Sequence, residues 1–379
     1  MKKIIMVLIA MIMLSACGNA KENPIPLPKI SFATSPEPTK EISSIETPID
    51  ISGFESKMSM LEIMDTGYNA DAIASIGDTI LAADLDSSDY EVVLASVEQN
   101  TETGIRITSK KILLVSQENT DTSDDVVYGI SAGLDGNYYV LIGERPAIYY
   151  HSSAGEFHEN EEYSGIYSIQ VFSQEGTPLT KFEISDFPAD TIMHFVADKT
   201  GKLMIVGGVS EKNSDDPSYG CITSVRFIRP DSTGKQHIII AEGDYQVNSV
   251  CSDGDNIVMF IDNTGFCVLN EEKGLLEELE IEWTRGGKWT FDSPFCCQTG
   301  TDKILINNQR FYGRYDFSTD SVHQILASSP SELSSEAAAL FAENMPVQHV
   351  YSCVSIYENM FLLSTRNSEY IYLLQLKNG

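Results

Sequence analysis

A chain of 379 residues, 42% hydrophobic and 21% charged, is long enough for one large all-β domain or two smaller ones, and it is too apolar to be disordered throughout. Its 55 acidic against 25 basic side chains leave a formal net charge of −30. That excess excludes nucleic acid and anionic membrane surfaces as electrostatic partners, while cationic peptides, metal cations and neutral glycans are not repelled.

The N-terminus carries an address. Lys2 and Lys3 precede an apolar run over 4–13 and then Leu14-Ser15-Ala16-Cys17. The run is too short to span a bilayer and fits a secretion signal. The tetrapeptide resembles a bacterial lipobox, which implies cleavage before Cys17 and a diacylglyceryl group on its thiol. Residues 1–17 are then a lipoprotein signal peptide, and the mature chain is held by lipid on the extracytoplasmic side of the cell membrane. Residues 18–50 hold Pro24, Pro26, Pro28, Pro36, Pro38 and Pro48 among polar residues, a composition that makes a tether rather than a core.

From residue 51 to 379 one shape recurs: a strand of small and apolar residues, a tight turn, and an almost unbroken apolar run. It appears at 72–84, 127–143, 191–208, 247–262, 293–308 and 350–365. A period of about 50 to 65 residues marks a repeat architecture. The second strand of each repeat, as in 138–142, 203–206 and 257–261, is apolar on both faces and must be covered on both. Later strands alternate: Leu279, Ile281 and Trp283 interleave with Glu278, Glu280 and Glu282. Buried inner strands with half-wet outer strands are what four-stranded blades around an axis require.

The turns Gly133-Leu134-Asp135-Gly136-Asn137 and Asp198-Lys199-Thr200-Gly201-Lys202 match the hairpin that opens each blade in β-propellers of the NHL and TolB-like kind. The chain resembles those proteins, which implies an all-β, six-bladed propeller of four-stranded antiparallel blades over 51–379. The last repeat has three strands, so 57–64 is expected to supply the fourth and close the ring. One short helix is expected where Ser329-Pro330-Ser331-Glu332 forms an N-terminal cap, with Pro346 as stop.

Few motifs carry chemistry. Gly129-Ile130-Ser131-Ala132-Gly133 matches a nucleophile elbow, but it enters a hairpin instead of a helix and reads as structural. Six cysteines remain beyond Cys17, without a C-x-x-C spacing; Cys251, Cys296, Cys297 and Cys353 fall on first strands, where a small side chain suits a crowded axis. The segment 84–89, Asp-Leu-Asp-Ser-Ser-Asp, alternates oxygens like a calcium loop but lacks its glycine. His151 and His158 lie in an acidic insertion, and Arg285 and Trp289 in a loop between repeats; these four are the partner-binding candidates. Asp71, Asp125, Asp190 and Asp292 each lie just before an inner strand. In a propeller they would gather at one mouth of the channel, where Ca²⁺ or a cationic ligand group would offset their repulsion; the competing explanation is that Asp starts turns well.

Sorting connections by the end of the blade on which they fall puts short turns at one end, and the insertions 145–165 and 209–220, the loops 116–125 and 282–293 and the expected helix at the other. Long loops on a rigid scaffold are where binding sites are built, so the loop-rich end is the expected functional face. The sequence therefore points to a binding protein for a protein or glycan partner at the cell surface. The alternative is a propeller enzyme of sugar-lactonase or glycan-lyase type with an axial metal.

Overall fold

The computed structural model describes residues 56–376 apart from several segments, the longest being 117–124, 212–220, 280–294 and 328–349. Residues 1–50, expected to be a signal peptide ending at Cys17 and a tether, lie outside the described residues, as do the segment expected to be helical after Ser329, Arg285, Trp289 and Asp292.

The described chain is all β. It enters on β1 (Ser56–Leu61) and then builds its sheets in order. The first is β2 (Ala72–Ile76), β3 (Thr79–Ala83), β4 (Glu91–Asn100) and β5 (Gly104–Val115). The next holds β6 (Asp125–Ala132), β7 (Asn137–Glu144), β10 (Tyr167–Ser173) and β11 (Pro178–Ile184), interrupted by a separate two-stranded ribbon of β8 (Ile148–His151) and β9 (Glu156–Glu159). There follow β12 (Thr191–Ala197) to β15 (His237–Gly243) through β13 (Leu203–Glu211) and β14 (Cys221–Pro230), then β16 (Val247–Ser252), β17 (Ile257–Ile261), β18 (Gly265–Asn270) and β19 (Leu275–Glu278). The chain continues through β20 (Phe295–Gln298), β21 (Lys303–Asn307), β22 (Phe311–Asp316) and β23 (Ser321–Ala327), and ends on β24 (Val350–Tyr357), β25 (Met360–Thr365) and β26 (Ile371–Leu376).

Six four-stranded antiparallel sheets result, the last in the order β1-β26-β25-β24. The first strand of each sheet packs against the first strand of the next, and β24 returns to β2. This is a β-propeller of four-stranded blades. As the three-stranded last repeat required, β1 completes the final blade, pairing from Ser56↔Leu376 to Leu61↔Ile371. Pairing the first strand with the last leaves no open edge on β26.

The core lies between blades, which explains the continuous apolar runs. On β3, Ile80 and Ala82 join Ile73, Val93 and Leu362 in the cluster toward the last blade, whereas Leu81 and Ala83 join Val92, Val140 and Phe172 in the cluster toward the second. Alternation still operates, but both faces are dry, so all of β3 and all of β17 is buried. Each fully buried Ile or Leu contributes about 1.5–3 kcal/mol. On β10 the residues alternate buried and half-buried, and β11 is mostly exposed. One outer strand departs from the sequence reading: the fourth strand of its blade is Leu275–Glu278, earlier than the alternating stretch, whose residues 280–283 lie outside the described residues.

The turns at 133–137 and 198–202 explain their own spacing. The Asp198 carboxylate accepts Thr200 N at 2.8 Å and Lys202 N at 3.0 Å, which folds the backbone back. Gly201 then takes φ +74°, and Gly136 in the equivalent turn takes +83°, a region that side chains rarely adopt.

Candidate functional site

Six first strands converge on the axis, and their composition follows from the crowding there. At Gly129 an added Cβ would sit 3.0 Å from the Cβ of Phe195 on the neighbouring strand, so the first glycine of the G-x-S-x-G match is a packing requirement. Its serine is structural too. Ser131 is buried, and its Oγ accepts Ala197 N at 2.8 Å, across the seam between the second and third blades.

Each inner strand is paired with a second strand on one side only, leaving its other edge toward the axis. Backbone polar groups there need partners. Neighbouring hydroxyls supply several: Ile73 N donates to Ser352 Oγ at 2.9 Å, and Ser75 Oγ donates to the Ser355 carbonyl at 2.8 Å. A serine on an inner strand is therefore a blade-to-blade connector.

The edges enclose an axial cavity of ≈ 440 Å³. Its wall includes Ala74, Ser75, His194, Ser249, Cys251 and Ser355, and among the described lining residues there is no Asp, Glu, Lys or Arg. Gly77 and Leu134, both exposed, form its rim. They belong to hairpin turns at the short-turn end. The sequence reading placed the functional face at the opposite end, and the insertions that suggested it lie largely outside the described residues.

His194 has a defined state. Its Nε2 lies 2.8 Å from the Val247 carbonyl, which can only accept, so this nitrogen carries the proton. Desolvation within the ring holds the imidazole below the usual histidine range, only partly opposed by the Val247 bond, so the ring is neutral at pH 7. Its Nδ1 is then an acceptor, and the residue lines the cavity.

Cys267 and Cys353 are free thiols. Cys251 and Cys353 line the cavity, in keeping with small side chains near the axis, and Cys267 is enclosed in the third-to-fourth-blade cluster, where burial pushes its thiol up to about 12.

Of the four acidic residues expected at the channel mouth, Asp71, Asp125 and Asp190 are described and Asp292 lies outside the described residues. Asp71 is buried and accepts Leu85 N at 3.3 Å, and its carboxyl is hydrogen-bonded to that of Asp84, from the calcium-like segment. Burial, with the charges of Asp71 and Asp89, pushes Asp84 up to about 7, against the opposing bond from Asn69 N at 3.0 Å. The pair is thus a proton-sharing contact. Asp125 opens β6 near Tyr90, whose phenol burial and that charge raise. Asp190 is exposed, its N–H bonded to the Gly208 carbonyl at 2.9 Å. Among the described residues no three His, Cys, Asp or Glu side chains are grouped to hold a metal ion.

His151 and His158 lie on the β8–β9 ribbon, in register with Glu156 and Tyr149 respectively. The channel histidine went unnoticed in the sequence because nothing local separates it from a core residue. The serines were more legible: five of the six inner strands carry a small polar or thiol residue one to three positions before their turn.

No family model matches the chain, and no curated protein matches it. Solved structures do. The chain is similar to the Malassezia sympodialis allergen Mala s 1, with a TM-score of 0.49 and 8% identity over 82% of this chain and 93% of that one. It is similar to a gluconolactonase of Xanthomonas campestris, with a TM-score of 0.47 and 10% identity over 87% and 93% of the two chains. It is also similar to the PQQ-bound aldose sugar dehydrogenase of Streptomyces coelicolor, with a TM-score of 0.45 and 11% identity over 85% and 98%.

Proposed function

We propose that this chain is a lipid-anchored, extracytoplasmic, six-bladed propeller that binds a protein or glycan partner at the cell surface. The anchor rests on the charged start, apolar run and Cys17 of the sequence. The observation that carries binding over catalysis is the axial cavity, whose described wall offers hydroxyls, thiols, one neutral imidazole and small apolar side chains. Acid–base chemistry on a glycan or lactone needs carboxylates or histidines that converge on one reacting atom.

The enzyme reading has one observation in its favour: the Asp84 carboxyl, poised near neutrality, lies one residue from the cavity-lining Leu85. The full-length protein separates the two. Retention of the lipid-free Cys17→Ser chain on intact cells, lost on removal of surface glycan or protein and weakened by Arg285→Ala with Trp289→Ala or by His151→Ala with His158→Ala, is the expected result. Turnover of a sugar lactone or an acidic glycan that Asp84→Asn abolishes would overturn binding in favour of catalysis.

A further inference from the structure

We propose that the axial cavity is a binding site for a neutral, hydroxyl-rich ligand, the terminus of an uncharged glycan. This rests on the binding reading above and names the ligand class and the place. The cavity, at ≈ 440 Å³, is in the size range of small-molecule sites.

The wall selects by charge. A cation entering it would shed water without meeting a carboxylate among the described lining residues, and an anion would meet no lysine or arginine there. An anion is opposed further by the net charge of −30 and by the exposed Asp78 and Asp135, which flank the rim residues Gly77 and Leu134. Neutral polar ligands face neither cost.

The wall also selects for groups that both donate and accept. It is built from strand edges, which present N–H and C=O groups in alternation, and from serine hydroxyls that keep one role beyond their blade-to-blade bond: Ser131, which accepts Ala197 N, can still donate, and Ser75, which donates to the Ser355 carbonyl, can still accept. A sugar hydroxyl is the small neutral group that can answer either. His194 adds a fixed acceptor, because its proton is committed to the Val247 carbonyl and Nδ1 is left for a ligand hydroxyl. Leu134, 45% exposed at the rim, offers an apolar surface for the C–H face of a pyranose ring.

The test is calorimetric titration of the full-length protein with maltose, cellobiose and N,N′-diacetylchitobiose, alongside glucuronate-terminated and glucosamine-terminated counterparts. At least one neutral disaccharide is expected to bind, with the charged counterparts at least tenfold weaker. His194→Phe should weaken binding by about tenfold, the loss of one hydrogen bond, while His194→Gln, which keeps a donor for Val247 and an acceptor for the ligand, should restore most of it. Leu134→Ala, at an exposed position that leaves the fold intact, should weaken it by about threefold. Neutral disaccharide binding indifferent to both His194→Phe and Leu134→Ala, or charged counterparts binding equally well, would overturn the proposal. If no disaccharide binds while the protein is still retained on intact cells, the cavity assignment fails and the surface-binding reading stands; if retention is absent too, both fail.

Discussion

The seam where the last blade meets the first and the seam between the second and third blades solve the same packing problem with different chemistry. Between the second and third blades the second blade presents an aromatic face: its Tyr128 and Tyr167 meet edge-on at 5.4 Å, Tyr167 meets Phe187 of the connection to the third blade at 5.3 Å, and Ser131 supplies a hydroxyl bond across the seam to Ala197 N. At the closing seam a chain of hydroxyls takes over. Ser364 donates to the Asp71 carbonyl at 2.5 Å and lies 2.8 Å from Ser352, which accepts Ile73 N, while Ser75 reaches the Ser355 carbonyl. The Asp71–Asp84 carboxyl pair continues that network. The second and third blades are joined by the short connection 185–190, which brings them together at little entropic cost. The closing seam joins strands about 280 residues apart, as Ile73 and Ser352 are, and relies on directional bonds to fix its register.

The most severe way to break this contrast is to remove the clasp. Deleting 56–64 removes the strand paired with β26 together with the buried Leu61, Ile63 and Met64, and is expected to cost about 5 kcal/mol or more, enough to abolish cooperative folding. Deleting 18–50 should leave the melting temperature unchanged. Equal melting temperatures for the two truncations would show that closure does not depend on β1.

The carboxyl pair sharpens the contrast through pH. Because the folded-state pKa of Asp84 is raised to about 7, the folded protein binds a proton there that the unfolded chain releases above about 4. Its contribution is therefore full below about pH 4, declines as pH rises through about 7, and is then lost. Asp84→Asn should flatten that part of the curve of melting temperature against pH. An unchanged slope would mean that the pair does not govern the seam's titration.

Single hydroxyls give the smallest effect. Ser364→Ala removes the hydroxyl bond to the Asp71 carbonyl in a fully buried place and is expected to cost about 2 kcal/mol, against about 1 kcal/mol for Ser131→Ala at the aromatic seam. Chemical denaturation of both variants measures the difference. A larger loss for Ser131→Ala would reverse the assignment of which seam depends on hydrogen bonds.

Much of the architecture was legible because it repeats. Small first strands, tight turns and two-faced apolar second strands recur along the chain, and a strand with no wet face can only be covered from both sides. The missing fourth strand of the last repeat pointed to the N-terminal segment, and β1 is there. The candidate site was legible only in part. Serines and cysteines on first strands stood out, but their roles depend on which edge and which neighbour they meet. Asp71 and Asp84 are thirteen residues apart and had been attached to two different schemes; only the return of β3 toward the start of β2 makes them one proton-sharing pair.

The sequence by itself determined the strand pattern and the pairing of apolar faces, because alternation and turn chemistry are local and act wherever the residues stand. It also determined the charge that disfavours anions. Only the tertiary structure decided what the axis is for. A first strand becomes a channel wall when the ring closes around it, and then the same serine that would be a solvated side chain in an open sheet caps a neighbour's backbone. A lone histidine in an apolar strand acquires a fixed tautomer there, because closure brings the Val247 carbonyl within 2.8 Å of its Nε2 and removes the water that would otherwise compete.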